Sequence, residues 1–264
     1  MDIRGKVTLI TGASEGIGAA CAAAFRERGA LLALNARSET KLASMSGPDT
    51  LILPGDITEP TVQERVVQAT VARFGRIDIL INNAGAGLYT PSWVAPMEQA
   101  RALFELNFFA ALRMIQLVTP HMRERRSGMI VNISSIAGHM TLPWFTLYSA
   151  SKYALCSLSD GLRMELKSDG IQVITVCPGY VNTGFQSHII GGKVPPALVS
   201  SRRFAIPVEA CARAIAQGVE RNRRTVMAPR MGWLLVAMAR LFPRLVDAQL
   251  ERIYSRRAEG ATVK

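Results

Sequence analysis

Seven short apolar runs, interleaved with stretches of helical periodicity, constrain this chain more than any other feature. The runs cover residues 7–11, 31–35, 50–53, 77–82, 129–134, 172–177 and 225–228. Most lack polar alternation, the mark of strands covered on both faces. Helical patterns lie at 17–28, 60–74, 97–124, 148–168 and 207–221, with Pro60 and Pro207 suited to first-turn positions. This alternation predicts one α/β domain: a doubly wound, mostly parallel sheet with helices on both faces.

Composition agrees. At 264 residues, 49% hydrophobic and 19% charged, the chain is too apolar to be disordered and long enough for one large core. No uninterrupted apolar stretch reaches the roughly eighteen residues that would span a bilayer. The formal charge of +11 calls for an anionic cofactor, nucleic acid or an acidic surface. Twelve arginines fall between Arg202 and Arg257, against four acids. No nucleic-acid module and no interleaved exposed aromatics accompany them, so no nucleic-acid partner is expected.

Cys21, Cys156, Cys177 and Cys211 are widely spaced and read as reduced, buried thiols of a cytoplasmic protein. His121, His139 and His188 lack metal-ligand spacing, and no metal is expected. No signal-peptide pattern precedes the first run.

The first run ends in Thr11-Gly12-Ala13-Ser14-Glu15-Gly16-Ile17-Gly18, where a helix begins. Glycines permit a tight turn and close approach to a diphosphate, and the helix N-terminus supplies free N–H groups. The spacing departs from the usual G-x-G-x-x-G fingerprint. Further along come Asn82-Asn83-Ala84-Gly85, Ser135, Tyr148-x-x-x-Lys152 and Pro178-Gly179.

In this order the motifs resemble the short-chain dehydrogenase/reductase family over roughly residues 1–230. The resemblance implies a seven-stranded Rossmann sheet, a nicotinamide dinucleotide and hydride transfer at a carbonyl or alcohol carbon. It also implies that Asp56, with Ile57, meets the adenine. Asn83, Ala84 and Gly85 would pass beside the ribose. Pro178, Gly179, Val181 and Thr183 would meet the carboxamide, and the pro-S hydride would move. Asp56 capping a turn before Pro60 is the physical alternative, and the two roles are compatible.

At the end of the second run, Ala36 stands where an NAD site places an acid, and Arg37 follows. A guanidinium suits a 2′-phosphate, so NADP(H) is expected. Glu15 argues the other way, because many NADP-dependent relatives carry a base there.

Tyr148 and Lys152 are four residues apart and share a helix face. A nearby ammonium is expected to lower the phenol and make it an acid-base. Ser135 matches the family serine that holds the substrate oxygen. Its neighbour Ser134 reads as a strand-end hydroxyl bonded to backbone. Asn107, unfavourable inside a helix, matches the family asparagine that loosens the helix and extends a proton relay from the lysine. The expected catalytic set is thus Asn107, Ser135, Tyr148 and Lys152.

Tyr89, Met140, Leu142, Trp144, Phe145, Tyr180, Phe185 and Ile189 make the substrate side apolar. That favours a hydrophobic ketone or alcohol, lipid- or steroid-like. A 3-oxoacyl thioester and a non-catalytic dinucleotide-binding regulator are the alternatives. Residues 184–206 read as a long loop, consistent with a lid. Residues 231–264 read as an amphipathic helical extension broken at Pro243, with Arg240, Arg244, Asp247 and Glu251 opposite an apolar arc. It would pack on its own domain, join a partner subunit, or lie on an anionic membrane surface. The family resemblance implies a homodimer or homotetramer.

Overall fold

A computed structural model describes residues 1–185, 189–191 and 205–258. Seven strands form one parallel sheet in the order β3-β2-β1-β4-β6-β7-β9. They are β1 (Val7–Thr11), β2 (Leu31–Ala36), β3 (Thr50–Pro54), β4 (Ile79–Asn82), β6 (Gly128–Ile133), β7 (Ile171–Pro178) and β9 (Thr225–Ala228). A second, two-stranded parallel pair joins β5 (Gly87–Tyr89) to β8 (Ile189–Gly191).

The unbroken apolar character of the strands follows from this architecture. Ile10, Ile81 and Val131 face one core with Phe25 of α1 (Gly16–Arg26) and Ile215 and Val219 of α7 (Val208–Glu220). Their neighbours Leu9, Leu80 and Ile130 face the opposite core. There they meet Val66 of α3 (Pro60–Phe74) and Met114 and Ile115 of α5 (Ala110–Glu124). Successive side chains alternate across a pleat, so a sheet buried on both sides needs both sets apolar. Phe25 is fully buried, and its truncation to Ala would cost about 3–5 kcal/mol.

Strand order reverses between β1 and β4, which opens a crevice at their carboxyl ends. The β1–α1 turn, the β4–β5 loop, the end of β6 and the end of β7 all converge there.

Three short elements depart from the sequence reading: α2 (Glu39–Ala43), β5 and β8. The expected 97–124 helix is continuous, but not uniform. It comprises α4 (Met97–Phe104), a π turn (Glu105–Phe109) and α5. By length and composition it could cross a membrane, with mean hydropathy 1.3, which corrects the expectation drawn from uninterrupted runs. Its inward residues Leu103, Met114, Val118 and Met122 are fully buried. A soluble core helix packed on a sheet has the same composition.

The C-terminal extension divides at Pro243 as expected, into α8 (Gly232–Leu241) and α9 (Pro243–Ala258). The expected apolar arc faces outward: Leu234, Leu241 and Leu245 are each at least 60% exposed. Val236 is the large apolar side chain of α8 that is fully buried. Of the 184–206 stretch, residues 186–188, including His188, and 192–204 lie outside the described residues.

Candidate active site

The crevice begins at the glycine turn. Gly12 and Gly16 have φ of +63° and +55°, a region costly for any side chain. A Cβ on Gly12 would meet the Ala84 backbone at 2.8 Å, and one on Gly18 would meet the Gly12 carbonyl at 2.2 Å. The first glycine therefore lets the β4–β5 loop approach, and the third lets α1 pack on the turn. Glu15 caps α1 through its backbone alone, with no side-chain hydrogen bond to the first-turn N–H groups. Ser14 and Ile17 flank the turn and are half-buried.

Asn83 holds this turn in shape. Its side-chain amide donates to the carbonyls of Thr11, at 3.0 Å, and Gly12, at 2.9 Å. In return the Thr11 hydroxyl accepts from the Asn83 and Ala84 N–H groups, both at 3.1 Å. Sequence reasoning gave Thr11 no role, although the residue before the turn is the natural place for such a tie. A glycine turn of left-handed residues beside an open helix N-terminus fits a dinucleotide diphosphate.

At the adenosine end, Asp56 accepts from the Thr58 N–H and hydroxyl, at 3.0 and 2.8 Å. Asp56 thus caps its own turn, one of the two roles its position suggested. Ile57 beside it is buried. Ala36 closes β2, and Arg37 follows it, exposed. Glu15 pairs with Lys41 Nζ at 2.7 Å, so a cation of α2 offsets the acid in the glycine turn.

From the far side, Pro178 closes β7 and the Gly179 N–H donates to the Ala228 carbonyl at 2.8 Å. Val181 bridges to Ile206. Thr183 stands directly over the glycine turn, 3.5 Å from where a Gly16 Cβ would lie. Thus the turn assigned to the diphosphate and the loop assigned to the carboxamide lie against each other.

The reacting groups sit between these loops. Ser135 follows β6, is largely buried, and its hydroxyl accepts from the Ala137 N–H at 3.1 Å. Electrostatically it acts on Tyr148, favouring the ionised phenol against burial. Tyr148 and Lys152 occupy successive turns of α6 (Thr146–Glu165), with the Lys152 ammonium 5.8 Å from the phenol ring centre. Lys152 is buried, and its Nζ donates to the Ile133 carbonyl at 3.0 Å. Ser134 bonds to the Lys152 carbonyl at 3.0 Å, the backbone tie its position suggested.

Electrostatics differ from the sequence expectation. Burial pushes the Tyr148 phenol up to about 12, and Ser135 offsets only part of this. The ammonium does not reverse that rise. Burial instead lowers Lys152 to about 8, against a smaller upward pull from the Cys156 and Cys177 thiols. Tyr148 is therefore a protonated acid at neutral pH.

Asn107 lies inside the π turn, almost fully buried. Its side chain accepts from the Ala86 N–H at 2.9 Å and donates to the Ala86 carbonyl and the Ser151 hydroxyl, each at 3.0 Å. Ser151 in turn donates to the Tyr148 carbonyl at 2.7 Å. Gly85 keeps the space between Asn107 and Lys152 open, since its Cβ would come 3.1 Å from Asn107 Oδ1 and 3.4 Å from Lys152 Nζ. The helix is loosened where expected, because π turns release backbone groups at the bulge. Asn107 contacts backbone and Ser151 directly.

Aromatic rings wall the phenol. Phe145 and Phe185 lie 6.0 and 5.8 Å from the Tyr148 ring, centre to centre. Tyr89 stacks on Trp144 at 5.8 Å and tilts against Phe145 at 5.1 Å. Trp144 adopts a φ of +65°, an uncommon conformation for a bulky residue and typical of functional loops.

The family profile described as short chain dehydrogenase matches residues 6–191. An 11-beta-hydroxysteroid dehydrogenase A from Arachis hypogaea is 33% identical, over 96% of this chain and 76% of the relative. The human dehydrogenase/reductase SDR family member 7 is 32% identical over 87% of this chain and 72% of its own length. A solved short chain dehydrogenase from Burkholderia cenocepacia J2315, in complex with NADP, superposes with a TM-score of 0.80. It is 29% identical and covers 95% of this chain and 99% of its own. The seven-stranded Rossmann sheet, the ordered motifs and these matches agree: the chain belongs to the short-chain dehydrogenase/reductase family of oxidoreductases.

Proposed function

We propose that this chain is an NADPH-dependent reductase of a hydrophobic ketone, lipid- or steroid-like, running in reverse as a secondary alcohol dehydrogenase. One observation carries the reading: Tyr148 stands between the Phe145 and Phe185 rings with the Lys152 ammonium 5.8 Å from its ring centre, and burial keeps its phenol protonated. An uncharged phenol in an apolar wall suits proton donation to a developing alkoxide. The steroid-dehydrogenase name of the Arachis relative supports the same substrate class.

A nicotinamide dinucleotide held by the Gly12–Gly18 turn and the Pro178–Thr183 loop would supply the hydride chemistry. Ser135 donates a hydrogen bond to the carbonyl oxygen, which favours charge building there. Tyr148 then gives that oxygen its proton. Lys152, anchored on the Ile133 carbonyl, keeps a positive charge beside the phenol as it becomes phenolate. Asn107 fixes the Ala86 loop and Ser151, and through them the start of the catalytic helix. Arg37 supports the 2′-phosphate preference, being the cation that follows β2 where no acid stands.

NADPH oxidation should be followed against a steroid ketone, a ketosphingoid base and an acetoacetyl thioester. Turnover of an apolar ketone with NADPH supports the reading. Turnover confined to the thioester transfers the assignment to 3-oxoacyl reduction, and none with any ketone in either direction rejects catalysis.

Two further contacts belong to this reading. The outward Leu234, Leu235 and Leu241 of α8, with Arg240 and Arg244, suit peripheral contact with an anionic membrane surface. Flotation with acidic liposomes, with and without residues 231–264, tests it; no binding by the intact chain at low salt rejects it. Exposed Phe109, Tyr153 and Met164 on the two long helices suit a homo-oligomeric contact, which light scattering after gel filtration would detect.

A further inference from the structure

His139, Cys156 and Cys177 are far apart in sequence, yet their ligand atoms all lie within 4.8 Å of one another. Cys177 Sγ is 3.3 Å from His139 Nε2. The fold makes this cluster from three elements. Cys156 stands one helical turn beyond Lys152 on α6, Cys177 is near the end of β7, and His139 follows the short turn after Ser135. Both thiols are buried, while the imidazole is half-exposed.

We propose that these three side chains form a site for a thiophilic divalent metal ion of the zinc class, placed behind the catalytic lysine. Two sulfurs and an imidazole are the donor set that such ions select over harder cations. Tetrahedral coordination at ordinary Zn–S and Zn–N lengths puts ligand atoms roughly 3.5–3.8 Å apart, so modest side-chain adjustment brings the three donors onto one ion, with a water as fourth ligand. Binding releases two thiol protons to solvent and forms two metal–thiolate bonds and one metal–imidazole bond, with no change of oxidation state. Two thiolates offset the ion's charge, which keeps Lys152 from being repelled.

The surroundings favour such a site. Ser134 Oγ lies 3.1 Å from Cys156 Sγ and bonds the Lys152 carbonyl. Cys156 is the more acidic thiol, lowered first by its interaction with Cys177 and further by Ser134 and Lys152. Met227, Val236 and Ile136 supply an apolar shell. Trp233 covers the imidazole, ring centres 5.4 Å apart, so α8 roofs the one half-exposed ligand. The ion would tie α6 to β7 directly behind Lys152.

Reduced full-length protein should be titrated with Co2+ under anaerobic conditions. We expect one equivalent per chain, an intense thiolate-to-cobalt charge-transfer band, the visible bands of tetrahedral Co2+, and their loss on adding Zn2+. Cys156→Ser and Cys177→Ser should each abolish the charge-transfer band at unchanged circular dichroism. Cys21→Ala and Cys211→Ala, at the buried thiols of the other core, should keep it. Zn2+ should also raise the melting temperature of wild type and leave Cys156→Ser unshifted. Absence of the band in folded wild type, or its survival in the Cys156→Ser/Cys177→Ser double variant, would overturn the proposal. Peroxide loss of two thiols in a protein that takes up no metal when reduced would recast the cluster as a disulfide pair.

Discussion

The Lys152 ammonium is anchored 3.0 Å from the Ile133 carbonyl, at the end of the strand that leads to Ser135. Acid, polarising hydroxyl and cation are thereby referenced to one strand end, β6, rather than to three independent loops. Burial lowers this ammonium from the ordinary 10.5 to about 8. Its charge is complete below that value and lost above it. Ketone reduction should therefore fall as pH rises through about 8, while Tyr148, at about 12, stays protonated. A kcat/KM profile measured from pH 6 to 10 checks this. In Lys152→Arg, whose charge persists, the residual activity should lose that limb, and Lys152→Met should fall roughly 10²–10⁴-fold throughout.

The same shift bears on stability. Between about 8 and 10.5 the unfolded chain binds the proton that folded Lys152 has released, so stability should rise with pH across that window. Denaturant midpoints of wild type and Lys152→Met at pH 7.5 and 10 should diverge in favour of wild type at the higher pH.

Tyr148→Phe removes the donor proton but keeps the ring against Phe145 and Phe185. Turnover should drop about 10²–10⁴-fold with little change in melting temperature. Ser135→Ala, which removes one hydrogen bond to the developing oxyanion, should cost about 10²–10³-fold in kcat. Stopped-flow and thermal melts separate these from misfolding.

The Asn83 amide serves two carbonyls of the glycine turn. Asn83→Ala leaves them short of donors and should destabilise the fold by about 1–3 kcal/mol. Dinucleotide affinity should weaken alongside, read by nicotinamide fluorescence. Gly18→Ala should be worse, because its Cβ would meet the Gly12 carbonyl, a backbone atom that cannot rotate aside.

Arg37→Ala should raise KM for NADPH about 10–100-fold, the worth of a hydrogen bond to a charged group, and leave NADH kinetics nearly unchanged. Equal preference for NADH in wild type and variant would reject the 2′-phosphate role.

The main sheet was legible in sequence because its strands are buried on both faces and therefore read as apolar runs. Helix 60–74 matched at both ends, where Pro60 fixes the first turn. What escaped was short or depended on distant partners. Strand β5 has three residues, one of them glycine, and gains its definition by pairing with β8. Helix α2 has five residues and is set by Ser38, which caps it. Asn107 stood out as a polar residue within a helix, but its partners Ala86 and Ser151 emerge only once three elements meet. The His139, Cys156 and Cys177 cluster has no spacing signature, since it is assembled by the parallel crossover that sets α6 against β7. The sign of the Tyr148 shift was missed for a related reason: burial outweighs the lysine, and burial is a property of the packed state.

The π turn at Glu105–Phe109 carries a structural consequence. Such a bulge holds one residue more than a regular helix would need. Deleting that residue would restore an unbroken ladder and rotate everything beyond it, withdrawing Asn107 from Ala86 and Ser151. The shortened helix would be sturdier by itself and the enzyme poorer. Helix stability and the placement of Asn107 thus pull this stretch in opposite directions.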